Sequence, residues 1–161
     1  MTAFQTMGPL SVLHAFLNVS RWRISADKGT SVRPDTIKLY VLETGGCEGC
    51  AMEVESLCGS AFALEQYGFA RVTDPADADW LLVTGPMGRA CVQMLERVWN
   101  AMPAGKSLVA VGACAVDGGM FGPNYATLGG LKALTPVRRA IPGCPPSPQD
   151  ILVGLQRLAE G

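Results

Sequence analysis

From Ile37 onward the apolar positions of this chain switch between two periods. Short apolar runs recur at Ile37–Leu42, Phe69–Val72, Trp80–Thr84, Ser107–Val111 and Pro136–Ile141. Short runs of this kind, bounded by turn residues, read as buried strands. Between them the apolar residues fall at helical spacing. Val54, Leu57, Cys58 and Ala61 mark one face of a helix over Glu48–Gln66. Cys91, Met94, Leu95, Val98 and Met102 mark a second, and Ile151, Leu152, Leu155 and Leu158 a third over Gln149–Leu158. Asp74 followed by Pro75 predicts a short helical turn with an acidic cap and proline in its first position. Alternating strands and helices predict an α/β fold, an open parallel sheet with helices on both faces. The stretch Gly118–Thr135 is glycine-rich and unpatterned, and loops this long are commonly functional or ordered by a partner.

Residues 1–36 differ from the rest and are expected to form a separate N-terminal element ahead of a domain over residues 37–161. Leu10, Leu13 and Leu17, with Val12, Phe16 and Val19 beside them, predict an amphipathic helix. A basic linker with Lys28 and Arg33 follows it. Such a helix docks on a partner, lies at a membrane surface or packs on its own domain. His14, the only histidine, belongs to this segment and reads as packing or interface.

At 161 residues with 48% apolar composition, one domain with a real core is expected. Charged residues are only 17%, below the usual ~25%. That fits either a surface covered by partners or a compact glycine-rich core. A net charge of −1 and the lack of a basic cluster interleaved with aromatics speak against nucleic acid. No apolar run reaches the length of a transmembrane helix. The N-terminal residues lack the pattern of a secretory signal, so the six cysteines are expected to be reduced thiols in a cytoplasmic setting rather than disulfides.

Four of those cysteines stand just beyond predicted strand ends. Cys47 and Cys50 lie in Gly-Gly-Cys-Glu-Gly-Cys, Cys114 in Val-Gly-Ala-Cys, and Cys144 in Pro-Gly-Cys-Pro-Pro. Open parallel sheets bind ligands at the carboxyl ends of their strands, so loops distant in sequence can meet there. Four thiolates are the ligand set of a [4Fe-4S] cluster, and neighbouring glycines free backbone N–H groups toward its sulfurs. Two other readings compete. A single Cys-x-x-Cys after a strand also suits a thioredoxin-like dithiol. Four thiolates also suit zinc, although zinc ribbons use two close pairs. Cys58 and Cys91 fall on apolar helix faces and are expected in the core. Glu53, three residues after Cys50, reads as a solvated acid near a helix start or as a proton relay beside the site. Glu48 is a weaker candidate for the same role.

The series Gly46-Cys-Glu-Gly-Cys-Ala-Met-Glu53, Val83-Thr-Gly85, Gly112-Ala-Cys-Ala-Val-Asp-Gly-Gly119 and Ile141-Pro-Gly-Cys-Pro-Pro-Ser-Pro148 resembles the small subunit of membrane-bound, group 4 [NiFe] hydrogenases. The same family supplies the cluster subunit of respiratory complex I. The resemblance covers roughly Ile37 to Leu158. It implies a flavodoxin-like domain with one [4Fe-4S] cluster on Cys47, Cys50, Cys114 and Cys144. It implies a [NiFe]-type large subunit as partner, further iron–sulfur and membrane subunits, and a peripheral place on the cytoplasmic side of the membrane. Glu53 matches the family's proton-transferring glutamate. Complex I subunits of this type carry two adjacent cysteines in the first motif. Cys47-Glu-Gly-Cys50 looks instead like the hydrogenase branch, though Glu48 stands where those proteins often have a small or amide residue. The implied function is electron transfer to or from a nickel–iron large subunit, by a subunit with no catalytic site of its own. A complex I-like subunit passing electrons to quinone, and a stand-alone zinc or dithiol α/β protein, are the alternatives.

Overall fold

The computed structural model describes residues 35–161. The expected helix over residues 10–19, the basic linker and His14 lie outside the described residues. Five strands form one sheet in the order β2-β1-β3-β4-β5, and every pair is parallel. They are β1 (Ile37–Glu43), β2 (Phe69–Arg71), β3 (Trp80–Thr84), β4 (Ser107–Val111) and β5 (Ala140–Ile141). This is the flavodoxin-like strand order, whose direction of winding reverses between β1 and β3. The helices are α1 (Gly49–Ser56), α2 (Val92–Ala101), α3 (Ala113–Asp117) and α4 (Pro148–Glu160).

The central strand β3 is buried at all five positions, as its unbroken apolar run requires. Its residues divide by alternation. Trp80 and Leu82 join Leu39, Val109 and Val111 under α1 and α4, where Val54, Leu57, Ile151, Leu152 and Leu155 close the layer. Leu81 and Val83 face the other way, against Leu95 of α2, Ala115 of α3, Met87 and Leu131. Ser147 caps α4 in a capping box with Asp150, with Pro148 in the first turn. Gly154 lets that helix approach β5: a Cβ there would lie 2.9 Å from Ile141 Cγ1.

Three expectations need correction. The helix expected over Glu48–Gln66 stops at Ser56, and Leu64–Tyr67 forms a separate 3-10 turn. Gly59 and Ser60 interrupt the helix, and glycine costs about 1 kcal/mol in a helix interior. Cys58 therefore falls past the end of α1 and is exposed, not in the core. The last strand keeps only Ala140–Ile141, because residues 136–139 diverge from β4. Cys91 is half-buried against the α2 side of the core, in line with its apolar spacing. The unpatterned stretch is tied down by polar groups rather than by periodicity. Thr127 Oγ1 donates to Met87 O at 2.9 Å, and Leu128 N donates to the same carbonyl.

Candidate metal centre

The first cysteine loop leaves β1 at its carboxyl end. Thr44 roots it: its N–H donates to Thr84 O at 3.0 Å, and its buried hydroxyl donates to Thr84 O at 2.9 Å and Gly85 O at 3.2 Å. The thiol of Cys91 donates to Thr44 O from the far side, at 3.5 Å. This loop and the turn after β3 touch closely. A Cβ on Gly85 would stand 1.8 Å from Gly45 O, so only glycine fits there. Glu48, between the two cysteines, takes a left-handed conformation with φ 62° and accepts the first α1 hydrogen bond from Met52 N at 3.0 Å.

The second and third loops are joined by backbone bonds. Gly112 N donates to Ile141 O and Ala113 N to Gly143 O, each at 2.8 Å. These bonds extend the β4–β5 pairing past the strand ends and bring Cys114 and Cys144 together. The peptide bond between Cys144 and Pro145 is cis.

The four thiols lie within electrostatic reach of one another. Burial pushes Cys50 up from an ordinary 9.0 to about 11, and Cys114, Cys47 and Cys144 add to the rise. Cys114 is also raised, first by burial, then by Cys144 and Cys47, with a thiol hydrogen bond to Cys144. Both effects have one direction because an uncompensated thiolate is disfavoured away from water and beside other sulfurs. Glycine is required beside Cys50, is tight beside Cys114 and leaves ordinary contact beside Cys47. A Cβ would lie 2.5 Å from Cys50 Sγ at Gly112, 3.3 Å from Cys114 Sγ at Gly119, and 3.5 Å from Cys47 Sγ at Gly49. The donor set, four thiols from three strand-end loops, fits a thiolate-held cluster in its chemistry. Among the described residues no three Cys, His, Asp or Glu side chains are arranged to hold a single metal ion.

A cleft at the β1/β3 reversal is lined by Cys47, Cys50 and Cys114, with Glu43, Glu48, Thr84 and Pro86 beside them. Cys144 reaches the group through Cys114 and Cys50 rather than through this cleft. Glu53 stands one turn beyond Cys50 on α1, half-buried. Glu43 is a site residue that sequence reasoning missed; its place at the end of the first apolar run is the available signal. Thr44 and Gly112 are equally silent in sequence, since their roles depend on strands that pair across long sequence gaps.

Fold and site together define a flavodoxin-like α/β protein with a thiol-bearing strand edge. The chain belongs to the family described as NADH ubiquinone oxidoreductase, 20 kDa subunit, which matches residues 47–158. It is 39% identical over 127 residues to an uncharacterized protein of Methanocaldococcus jannaschii, covering 79% of this chain and 85% of that one. It is 38% identical over 116 residues to formate hydrogenlyase subunit 7 of Escherichia coli, covering 72% of this chain and 46% of the relative. An NADH-quinone oxidoreductase subunit of a Hydrogenobaculum species is 39% identical over 115 residues, covering 71% of this chain and 64% of the relative. The chain thus spans less than two thirds of the last two. Among solved structures, a chain of the membrane-bound sulfane sulfur reductase, an archaeal respiratory membrane complex, superposes with a TM-score of 0.67 at 25% identity, covering 78% of this chain and 70% of that one. The family resemblance read from the motifs is therefore correct, and the family is one of subunits of oxidoreductase complexes.

Proposed function

We propose that this chain is an electron-transfer subunit holding one [4Fe-4S] cluster on Cys47, Cys50, Cys114 and Cys144. The observation that carries the reading is that three strand-end loops bring four thiols into mutual electrostatic range, with Gly112 packed where no side chain fits beside Cys50. When bound, a cluster of this kind supplies one-electron storage at a potential set by charge, hydrogen bonds and exposure. The chain's own part is to hold and shield it. Thr44 and the Gly112–Ile141 and Ala113–Gly143 bonds fix the loops. Glu43 and Glu48 place carboxylates at the cleft, and Glu53 is the residue proposed to relay protons.

The partner is a [NiFe]-type large subunit in a membrane-associated hydrogenase of the formate hydrogenlyase or energy-converting kind, with further iron–sulfur and membrane subunits. Met52 on α1 and Met120, Phe121 and Tyr125 after α3 are all exposed on segments adjoining the cysteines, a surface suited to burial by a partner. Among the described residues no helix is long and apolar enough to cross a membrane. The chain is proposed to sit peripherally on the cytoplasmic face. The second reading, a complex I-like subunit passing electrons to quinone, is favoured by the equal similarity to the NADH-quinone oxidoreductase relative. The spacing Cys47-Glu-Gly-Cys50 favours the first.

Anaerobic purification of the assembled complex tests this. Four irons and four sulfides per copy, with a reduced-state electron paramagnetic resonance signal lost in Cys114→Ser, are expected. Stoichiometric zinc without iron would overturn the cluster. A co-purifying large subunit without nickel-ligating cysteines would favour the quinone reading.

A further inference from the structure

Thr44 differs from the three residues that follow it. All of its polar atoms are engaged. Its N–H and hydroxyl donate to Thr84 O at 3.0 and 2.9 Å, the hydroxyl also reaches Gly85 O at 3.2 Å, and its carbonyl accepts from the Cys91 thiol at 3.5 Å. Thr84 ends the fully buried strand β3, so this anchor is a rigid one. Among the described residues the backbones of Gly45, Gly46 and Cys47 form no hydrogen bond. Gly45 and Gly46 stand at φ 112° and 101°, where glycine moves freely. On the helix side the next fixed point is Glu48, whose carbonyl accepts from Met52 N. Glu48 is a weak anchor by itself, because its φ of 62° is one that glutamate disfavours. Thr44 is the hydrogen-bonded anchor on the strand side.

The other three cysteines are held differently. Cys50 is half-buried inside α1, and Cys114 is buried inside α3. Cys144 is exposed like Cys47, but its neighbours are fixed. Gly143 O accepts from Ala113 N at 2.8 Å. Pro145 and Pro146 follow with ring-locked φ and lead into the capping box of α4. Cys47 alone of the four sits on a span without backbone bonds of its own.

We propose that Thr44 is the positioning residue for Cys47, and that Cys47 is the ligand that engages last and releases first. The Thr44 hydroxyl ties the first cysteine loop to the turn after β3 and so sets where the Cys47 sulfur stands relative to the other three. The role needs the hydroxyl and not the shape. Valine has the same outline, yet it leaves the carbonyl of buried Gly85 without the donor that Thr44 supplies. The proposal rests on the reading that the four thiols hold a cluster.

The test uses the assembled complex, purified anaerobically and treated with a ferrous-iron chelator and iodoacetamide. Mass spectrometry then follows the alkylation of each cysteine over time. In the unsubstituted complex Cys47 is expected to react first. Thr44→Val should speed its reaction about tenfold, the scale of one lost hydrogen bond, while Cys50, Cys114 and Cys144 still react after it. Thr44→Ser keeps the hydroxyl and should restore the unsubstituted rate. Thr127→Val removes a buried hydroxyl elsewhere and should leave Cys47 unchanged. Another ligand reacting first in the unsubstituted complex overturns the proposal, whether or not Thr44→Val assembles. So does an unchanged Cys47 rate in Thr44→Val, a serine variant as fast as the valine one, or equal acceleration in Thr127→Val. Iron per chain is measured before chelation. The wrong order with full iron rejects this proposal alone, whereas iron missing from the unsubstituted complex rejects the cluster reading.

Discussion

Gly112→Ala isolates how closely the site is packed. Gly112 has φ +86° and ψ 156°, in a region that is close to glycine-only. Holding alanine there costs about 1–3 kcal/mol. The new methyl would also sit 2.5 Å from Cys50 Sγ, well inside any contact a real carbon makes with sulfur. Relieving the overlap adds about 1–3 kcal/mol, the usual cost of overpacking. Together these approach the lower end of the ~5–15 kcal/mol that stabilises a typical domain. Relief is hard to find on the strand side, because Gly112 N and Ala113 N each hold a 2.8 Å bond to the Cys144 loop. Cys50 must therefore turn away. The assay is iron and sulfide content with the reduced-state resonance signal, read beside a thermal melt. Gly105→Ala is the control: φ is +87°, yet a Cβ there meets nothing within 4 Å. It is expected to lose about 1 kcal/mol of stability and no iron. Gly112→Ala is expected to lose most of its iron. Full iron with an unchanged signal, or equal iron loss in both variants, would refute the packing argument.

Other outcomes follow from the same geometry. Cys91→Ser should keep the cluster, since serine still donates to Thr44 O from its half-buried place, whereas Cys114→Ser should lose it; equal iron loss in both would refute the ligand assignment. In metal-free protein, alkylation of Cys50 should accelerate only as pH nears about 11, against 9.0 for an ordinary thiol. Between those values the unfolded chain releases the Cys50 proton first, so the metal-free fold loses stability as pH rises, and melts at pH 9 and 11 would reveal a rise instead if the reasoning fails. Thr127→Val should cost about 1–3 kcal/mol by removing the buried hydroxyl that donates to Met87 O and accepts from Gly129 N. Proteolysis is then expected within 118–135, and unchanged resistance there would count against that anchor. Glu55→Ala should change stability by less than about 1 kcal/mol, because its pair with Arg71 is solvent-exposed, and a larger shift in the melt would contradict that.

The parts of the fold legible in sequence are those set by continuous apolar runs. Trp80–Thr84 and Ser107–Val111 are read to the residue, since their unbroken apolar runs are bounded by turn residues on both sides. β5 is overdrawn in sequence because Pro136 and Val137 look like strand residues, while their departure from β4 is a tertiary matter. The helix after Cys50 is overdrawn because its spacing continues past the glycine that stops it. At the site, the four cysteines are legible from their placement after strands. Their support is not. Thr44, Gly85 and Gly112 matter through neighbours about 30 to 60 residues away, a separation that no local pattern encodes.

The backbone bonds between the Cys114 and Cys144 loops have a consequence for the domain as a whole. Cys47 follows the strand beside the sheet's reversal point, and Cys144 follows its two-residue edge strand. A shared ligand across those positions acts as a staple over a loop of roughly a hundred residues, which in the chain-entropy picture is worth about 4–5 kcal/mol. β5 is the least anchored strand, so the staple contributes most where the sheet is weakest. Loading the site should thus slow proteolysis at α4, which follows the Cys144 loop, and stripping it should first release the carboxyl-terminal edge.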